Sequence, residues 1–112
     1  MIECTTEDRE GVVVVRVTGS VDALTADTLA AALSAPLAAG RVRLVADLEA
    51  VDYTSSAGLR ALLAALKDAR TRGGDLRLAR PQKGVLKVLQ LSGFTSILAV
   101  HERLEDAVAS FA

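Results

Sequence analysis

Three consecutive hydroxyl side chains, Thr54, Ser55 and Ser56, are the residues of this sequence whose types and spacing could do chemistry. They follow a β-branched, apolar stretch and precede a leucine-rich one, so we expect them at a strand-to-helix junction. Gly58 follows inside the first helical turn, where glycine costs about 1 kcal/mol against alanine. A hydroxyl at a helix start can cap the free backbone N–H groups, or it can accept a phosphate that the helix dipole tolerates. The residues alone leave both roles open.

Other kinds of chemistry find less support in the residues. A serine nucleophile needs a base, His101 is the only imidazole, and the pattern Gly-x-Ser-x-Gly does not occur. A phosphate-binding loop of the type Gly-x4-Gly-Lys-Ser/Thr is also missing. One cysteine and one histidine exclude a disulfide framework and argue against a zinc cage. We therefore expect no enzyme, no metal site and no cofactor.

The composition also limits the kinds of partner. The chain has 112 residues with 13 basic and 14 acidic side chains, and its net charge of −1 makes no electrostatic case for nucleic acid. Only 3% of the residues are aromatic, which argues against a stacking platform for bases. Charges interrupt every apolar run well short of the roughly 20 residues of a membrane span. The N-terminus does not resemble a signal peptide. We expect a cytoplasmic protein with no direct membrane insertion.

The elements that must position the hydroxyls follow from the periodicity of the apolar residues. The predicted elements are, in chain order, strands over Ile2–Thr6 and Val12–Thr18, a helix over Ala26–Ala38, a strand over Val42–Leu48, a helix from Ser55 or Ser56 to Arg72, a strand over Asp75–Arg80, a helix over Pro81–Ser92, a strand over Ile97–Val100 and a helix over Arg103–Phe111. Loops are predicted over Gly19–Leu24 and Glu49–Thr54, with Thr25 as a helix N-cap and Gly40 as a C-cap. An opening hairpin followed by alternating helices and strands predicts an α/β fold, with the later strands largely parallel.

Several segments carry a family resemblance in their order and spacing. Residues 17–22 follow the pattern apolar-Thr/Ser-Gly-x-apolar-Asp, and residues 85–94 form a helix-like segment that ends in Ser92-Gly93-Phe94. The other segments are Thr25–Leu29, Val45–Tyr53, Ser55–Leu59 and Gly73–Leu76. Together they resemble the STAS domain family, and within it the stand-alone bacterial anti-sigma factor antagonists. The resemblance implies one STAS domain over residues 1–112, with a mixed β-sheet of four to five strands and α-helices packed against it.

The resemblance also implies a phosphorylation site. The family's phosphoacceptor corresponds to Ser56, two residues before Gly58. Many members have Asp directly before that serine; here the position is Ser55, which leaves a neighbouring hydroxyl as an alternative target. Asp22 matches the family's loop aspartate near the site. It could equally form an Asx turn or a cap before Thr25.

The mechanism that the resemblance implies is partner switching. The unphosphorylated domain would bind an anti-sigma factor with a serine-kinase fold, the kinase would phosphorylate Ser56 with its own ATP and Mg²⁺, and a serine phosphatase would reverse the modification. Other STAS-like proteins suggest two alternatives, a subunit of a membrane lipid-transport complex and a scaffold subunit of a stress-signalling particle.

The predicted partner-binding surface surrounds the hydroxyls. It comprises Asp22, Leu24, Thr54, Ser55, Ser56, Ala57, Gly58, Leu59 and Arg60. Arg60 lies one turn beyond Ser56 and could touch a partner, pair with a phosphate or remain a solvated charge. Leu24 could contact a partner or cover the core.

Overall fold

The fold begins with a β-hairpin. In the computed structural model, which describes residues 1–112, β1 (Ile2–Arg9) pairs antiparallel with β2 (Val12–Val21). The two turn residues, Glu10 and Gly11, have φ angles of 55° and 85°. Positive φ at both positions is what a two-residue turn of type I′ requires, and the twist of this turn matches that of the strands. The hairpin that the sequence predicts is therefore present.

Helices and parallel strands alternate after the hairpin. The elements are α1 (Ala26–Ala38), β3 (Arg43–Thr54), α2 (Ser56–Thr71), β4 (Asp75–Ala79), α3 (Lys83–Leu91), a 3₁₀ turn (Phe94–Ser96), β5 (Val100–His101) and α4 (Leu104–Ala109). The sheet has the order β1-β2-β3-β4-β5, and β2 to β5 are parallel to one another. This five-stranded mixed sheet with four α-helices confirms the predicted α/β architecture.

Apolar residues cover both faces of the sheet. Leu44, Ala46 and Leu48 of β3 belong to a cluster of 21 buried residues that also contains the apolar positions of α1, α2 and α3. Val45 points to the opposite face, where it belongs to a second cluster of 7 buried residues with side chains of α4 such as Leu104. Successive side chains of a strand alternate between the faces, so one strand contributes to both clusters. Burial of such aliphatic side chains contributes about 1.5–3 kcal/mol each.

One predicted loop is strand throughout in the structure, and the first half of another is strand. β2 continues through Val21 and β3 through Thr54, where the sequence pattern predicts loops over Gly19–Leu24 and Glu49–Thr54. The two strands pair over this added length with two register shifts, which place extra residues in β3. Such bulges break the alternation of apolar and polar residues, so this part of the strand has no clear sequence pattern. The hydroxyl cluster therefore begins on the last residue of a long strand, Thr54, and not in a loop.

Other predicted boundaries shift by a few residues. α1 covers its predicted range, with Pro36 in its last turn, but its C-cap is Ala39 and not the predicted Gly40, which follows at a φ of 84°. The predicted strand over Ile97–Val100 is shorter and later, because the preceding 3₁₀ turn ends only at Ser96. These shifts do not change the order of the elements.

Candidate functional site

The three hydroxyls lie where β3 passes into α2. Thr54 is the last residue of β3, Ser55 is the N-cap of α2, and Ser56 is the first helical residue. The Ser55 side chain accepts a hydrogen bond from the Gly58 N–H at 3.4 Å, which satisfies one of the free donors of the helix start. The backbone N–H of Ser55 donates to the Val21 carbonyl at 2.8 Å. The junction is thereby fixed to the end of β2.

The three hydroxyls have different surroundings. Thr54 is 7% exposed, and its hydroxyl donates to the Ser55 carbonyl at 3.3 Å. Ser55 is half-buried and capping, so of the three candidate caps the structure selects this one. Ser56 is exposed, and its hydroxyl has no hydrogen-bond partner in the protein. Only Ser56 presents its oxygen to another molecule without loss of an existing bond.

Gly58 allows the helix to approach the sheet closely. A Cβ atom at this position would overlap the Thr54 hydroxyl and would lie only 2.7 Å from Cγ1 of Val21. Real Cβ atoms do not approach other heavy atoms this closely, so any larger residue would push the start of α2 away from β2 and β3. The glycine that costs helix stability is therefore explained by packing.

The loop between β2 and α1 is held by the Asp22 side chain. Its Oδ1 atom accepts from the N–H groups of Leu24 at 2.9 Å and Thr25 at 3.0 Å, and the Thr25 hydroxyl lies 3.1 Å away. The hydrogen bond from the Thr25 hydroxyl, with those two N–H groups, lowers the pKa of the Asp22 carboxyl. This is the Asx turn that the sequence left as one possibility. Thr25 occupies the N-cap position of α1, but its side chain bonds backwards to Asp22 and does not cap the helix.

Two large side chains near the junction are exposed. Leu24 is 91% exposed, so the interpretation that it covers the core is wrong. Tyr53, one residue before Thr54, is 52% exposed. Tyr53 was missed by the sequence reasoning, although the inward position of Thr54 in a strand implies that its neighbour points outward.

A carboxylate also lies close to the junction. Asp52 lies at the second register shift of β3, and its Oδ1 atom accepts from the Ser20 hydroxyl at 2.6 Å. This bond connects the ends of β2 and β3 on the solvent side. The sequence reasoning missed both residues, because their proximity depends on the bulge.

The first turns of α2 contain the other predicted residues. Ala57 is half-buried, Leu59 packs partly against the main core cluster, and Arg60 is exposed. The Arg60 guanidinium makes no ion pair or hydrogen bond. The structure thus brings the predicted set together around the β3–α2 junction and the neighbouring loop, with Leu59 turned inward.

The surroundings offer little for other chemistry. No group of three or more His, Cys, Asp or Glu side chains is arranged to hold a metal ion. His101 lies on β5, and β4 separates that strand from β3, so the backbone of His101 is about two strand spacings, roughly 10 Å, from the strand that leads to the serines. The largest cleft, about 790 Å³, lies beside Arg80, Lys83 and His101, and none of the predicted site residues lines it.

None of the helices combines the length and the apolar character that a membrane crossing requires.

Known proteins share both the sequence pattern and the fold. The family model of the STAS domain matches residues 3–107. The chain is 36% identical over 110 residues to BtrV of Bordetella bronchiseptica, which is named as an anti-sigma factor antagonist, and the match covers 98% of this chain and 95% of that protein. The crystal structure of an anti-sigma factor antagonist from Mycobacterium paratuberculosis superposes with a TM-score of 0.90 at 30% identity, over 98% of this chain and 93% of that one.

A more distant structure has the same fold. The phosphorylated form of SpoIIAA, a Bacillus cell fate determinant, superposes with a TM-score of 0.75 at 20% identity, over 98% of this chain and 100% of that one. Both the sequence match and these superpositions extend over nearly the full chain, including the β3–α2 junction. The chain therefore belongs to the STAS domain family.

Proposed function

We propose that the protein is an anti-sigma factor antagonist that binds its anti-sigma factor when Ser56 is unmodified and releases it when Ser56 is phosphorylated. The observation that carries this proposal is the difference between three adjacent hydroxyls, of which only Ser56 is exposed and free of hydrogen bonds. The names of relatives that match nearly the whole chain support the choice of partner class.

The modification is a phosphoryl transfer from ATP. The partner is an anti-sigma factor with a serine-kinase fold, which binds the ATP and Mg²⁺ itself. The Ser56 oxygen forms a bond to the γ-phosphorus, the bond from that phosphorus to the bridging oxygen of ADP breaks, and the hydroxyl proton passes to a base of the kinase. A serine phosphatase restores the hydroxyl, with water as the acceptor of the phosphoryl group.

The phosphate changes the charge of the binding surface. It adds about −1.5 to −2 charges at pH 7. The carboxylates of Asp22 and Asp52 lie at the neighbouring strand ends, so the added charge enters a surface that already contains acidic groups. A dianion in a desolvated contact needs a cationic partner or costs several kcal/mol. A loss of about 3 kcal/mol weakens binding more than a hundredfold.

The partner surface extends from the junction to the adjacent loop. Leu24 is an exposed apolar side chain on a loop that the Asp22 hydrogen bonds hold in one conformation. A loop whose backbone is already held by hydrogen bonds loses little backbone entropy on binding. We therefore expect Leu24, Tyr53 and the first turn of α2 to contact the anti-sigma factor together.

A kinase assay with the cognate anti-sigma factor tests the site. We expect Ser56→Ala to remove phosphorylation, measured by intact-protein mass spectrometry, while Thr54→Val and Ser55→Gly remain substrates. Gly is chosen at position 55 because it is tolerated at an N-cap at a cost of only a few tenths of a kcal/mol. Normal phosphorylation of Ser56→Ala would show that another hydroxyl is the acceptor.

Partner capture from the host separates the proposed function from the transport alternative. Unphosphorylated protein should retain an anti-sigma factor, and Ser56→Asp should retain much less of it. Recovery of a transport ATPase in place of an anti-sigma factor would contradict the proposal.

A further inference from the structure

Arg60 differs from nearly all other arginines of the chain. The sequence contains ten arginines, and eight of them form ion pairs with carboxylates. The two without such a pair are Arg43 and Arg60. Arg43 lies at the start of β3, whereas Arg60 lies just after the junction at which β3 ends. An unpaired guanidinium beside the exposed hydroxyl of Ser56 is a cation whose partner is not supplied by the rest of the unmodified chain.

The helix places Arg60 where it can reach a group on Ser56. Both residues belong to α2 and are four positions apart, and both are exposed. Side chains at this spacing are neighbours on one face, with Cβ atoms about 5–6 Å apart. Helical side chains also lean towards the N-terminus, so the arginine extends back over the turn that contains Ser56. An acid followed four residues later by a base is the favourable order for such a pair.

The charge distribution of α2 favours a phosphate at this position. The first turn of α2 contains no acidic residue, whereas α1 has Asp27 and α4 has Glu105 and Asp106 there. Arg60 therefore has no competing anion within its own helix start. A guanidinium can bind phosphate oxygens with two parallel hydrogen bonds, which a lysine cannot do.

We propose that Arg60 is a switch residue with two alternative anions. In the unmodified protein its guanidinium binds an acidic group of the anti-sigma factor; after phosphorylation it pairs with the phosphate on Ser56 of the same chain. This inference rests on the proposed function, and it adds the chemical class of the partner group that Arg60 contacts. Phosphorylation then acts in two ways, because it adds a negative charge and also removes the cation that the acidic group needs.

Phosphoserine introduced at position 56 by genetic encoding tests the intrachain pair without kinase or partner. The second pKa of a phosphoserine lies near 6, and ³¹P NMR follows its titration directly. We expect Arg60→Gln to raise that pKa by about 0.3 unit, the size that an ion pair at this spacing on an exposed helix face produces. The matched control is Arg43→Gln, the other unpaired arginine, which should leave the pKa unchanged. Arg60→Lys should retain part of the effect.

A second experiment tests the contact with the partner by measuring the affinity of the unphosphorylated protein for the anti-sigma factor. Arg60→Gln should weaken binding about tenfold at low salt, and less at high salt, while Arg43→Gln binds like wild type. An unchanged phosphoserine pKa in Arg60→Gln, or full binding by that variant, would overturn the inference. Neither result would contradict the proposed function. That function fails if phosphoserine at position 56 leaves binding by the otherwise unchanged chain intact.

Discussion

Adjacent side chains of one chemical type acquire different roles from where the backbone places them. Thr, Ser and Asp are all good N-caps, so the residue types do not decide which of Thr54, Ser55 and Ser56 caps α2. The residue that caps α2 is set by where β3 ends. The bulges of β3 shift that end relative to β2. The position of the three hydroxyls at a strand-to-helix junction could be predicted from the sequence. The exposure of Ser56 and its lack of a hydrogen bond could not.

The exposure of Leu24 is a second feature at this scale that residue type does not determine. A leucine in a loop is equally consistent with a core contact and with a surface contact. The Asp22 hydrogen bonds fix the loop so that Leu24 points to solvent. We expect Leu24→Ala to weaken binding of the anti-sigma factor while the melting temperature stays unchanged, because the side chain packs against nothing in the free protein. Ala23, also exposed, offers a control position on the same loop.

The Asp22 carboxyl should show its hydrogen bonds in a pH titration. Its pKa in the folded protein is lowered, first by the Thr25 hydroxyl and then by backbone N–H groups. A lowered folded pKa means that the loop interaction is fully present above the pKa of the unfolded chain and is lost as pH falls through the folded pKa. We expect Thr25→Val to raise the Asp22 pKa towards the unfolded value. Side-chain carboxyl NMR measures this directly, and an unshifted pKa in the variant would contradict the assigned bond.

At the scale of the elements, the junction depends on how closely α2 approaches the two strands. Gly58→Ala should destabilise the protein by about 1–3 kcal/mol, because the new Cβ overlaps the Thr54 hydroxyl and crowds Val21. Urea unfolding measures the change.

A second helical glycine supplies the matched control. Gly84 lies near the start of α3, and a Cβ there meets nothing within 4 Å. Gly84→Ala should therefore stabilise by about 0.5–1 kcal/mol through helix propensity alone. Equal effects of the two substitutions would show that close packing does not explain Gly58.

Elements with regular apolar periodicity could be predicted, and irregular ones could not. The leucines of α1 recur at helical spacing, and the predicted range Ala26–Ala38 agrees with the structure. The second half of β3 alternates poorly because bulges shift its faces relative to β2. This half positions Asp52 and Tyr53, and it brings Asp52 to Ser20; the sequence pattern predicts none of these three residues as part of the site.

At the scale of the whole molecule, an ion-pair network crosses the sheet from β1 to the end of β4. Its members are Glu7, Arg16, Asp47, Arg80 and Glu49. Asp47 is 4% exposed and accepts from the Arg80 guanidinium at 3.1 and 2.5 Å. The Asp47 carboxylate thus links Arg16 on β2 to Arg80 just after β4, although β2 and β4 do not pair directly.

Removal of Asp47 should destabilise the fold more than removal of a surface carboxylate. We expect Asp47→Ala to cost about 2 kcal/mol, because it leaves the partly buried Arg80 with only Glu49 as a partner. Asp8→Ala is the comparison, since Asp8 pairs with Arg41 on the surface, where ion pairs contribute little. Urea unfolding of both variants checks the order, and an equal loss would contradict a central role of Asp47.

The site as a whole is a surface and not a cavity. The β3–α2 junction, the Asp22 loop and the exposed Leu24 lie together, while the largest cleft contains none of them. This arrangement suits recognition by another protein, and it agrees with the lack of a catalytic or metal-binding motif in the sequence.

The most direct test of the central claim compares the affinity of the anti-sigma factor for two forms of this protein, one unmodified and one with genetically encoded phosphoserine at position 56. Calorimetry at one salt concentration, without ATP turnover, measures both. The account predicts at least a hundredfold weaker binding of the phosphorylated form, equivalent to about 3 kcal/mol. Equal affinity of the two forms would contradict it.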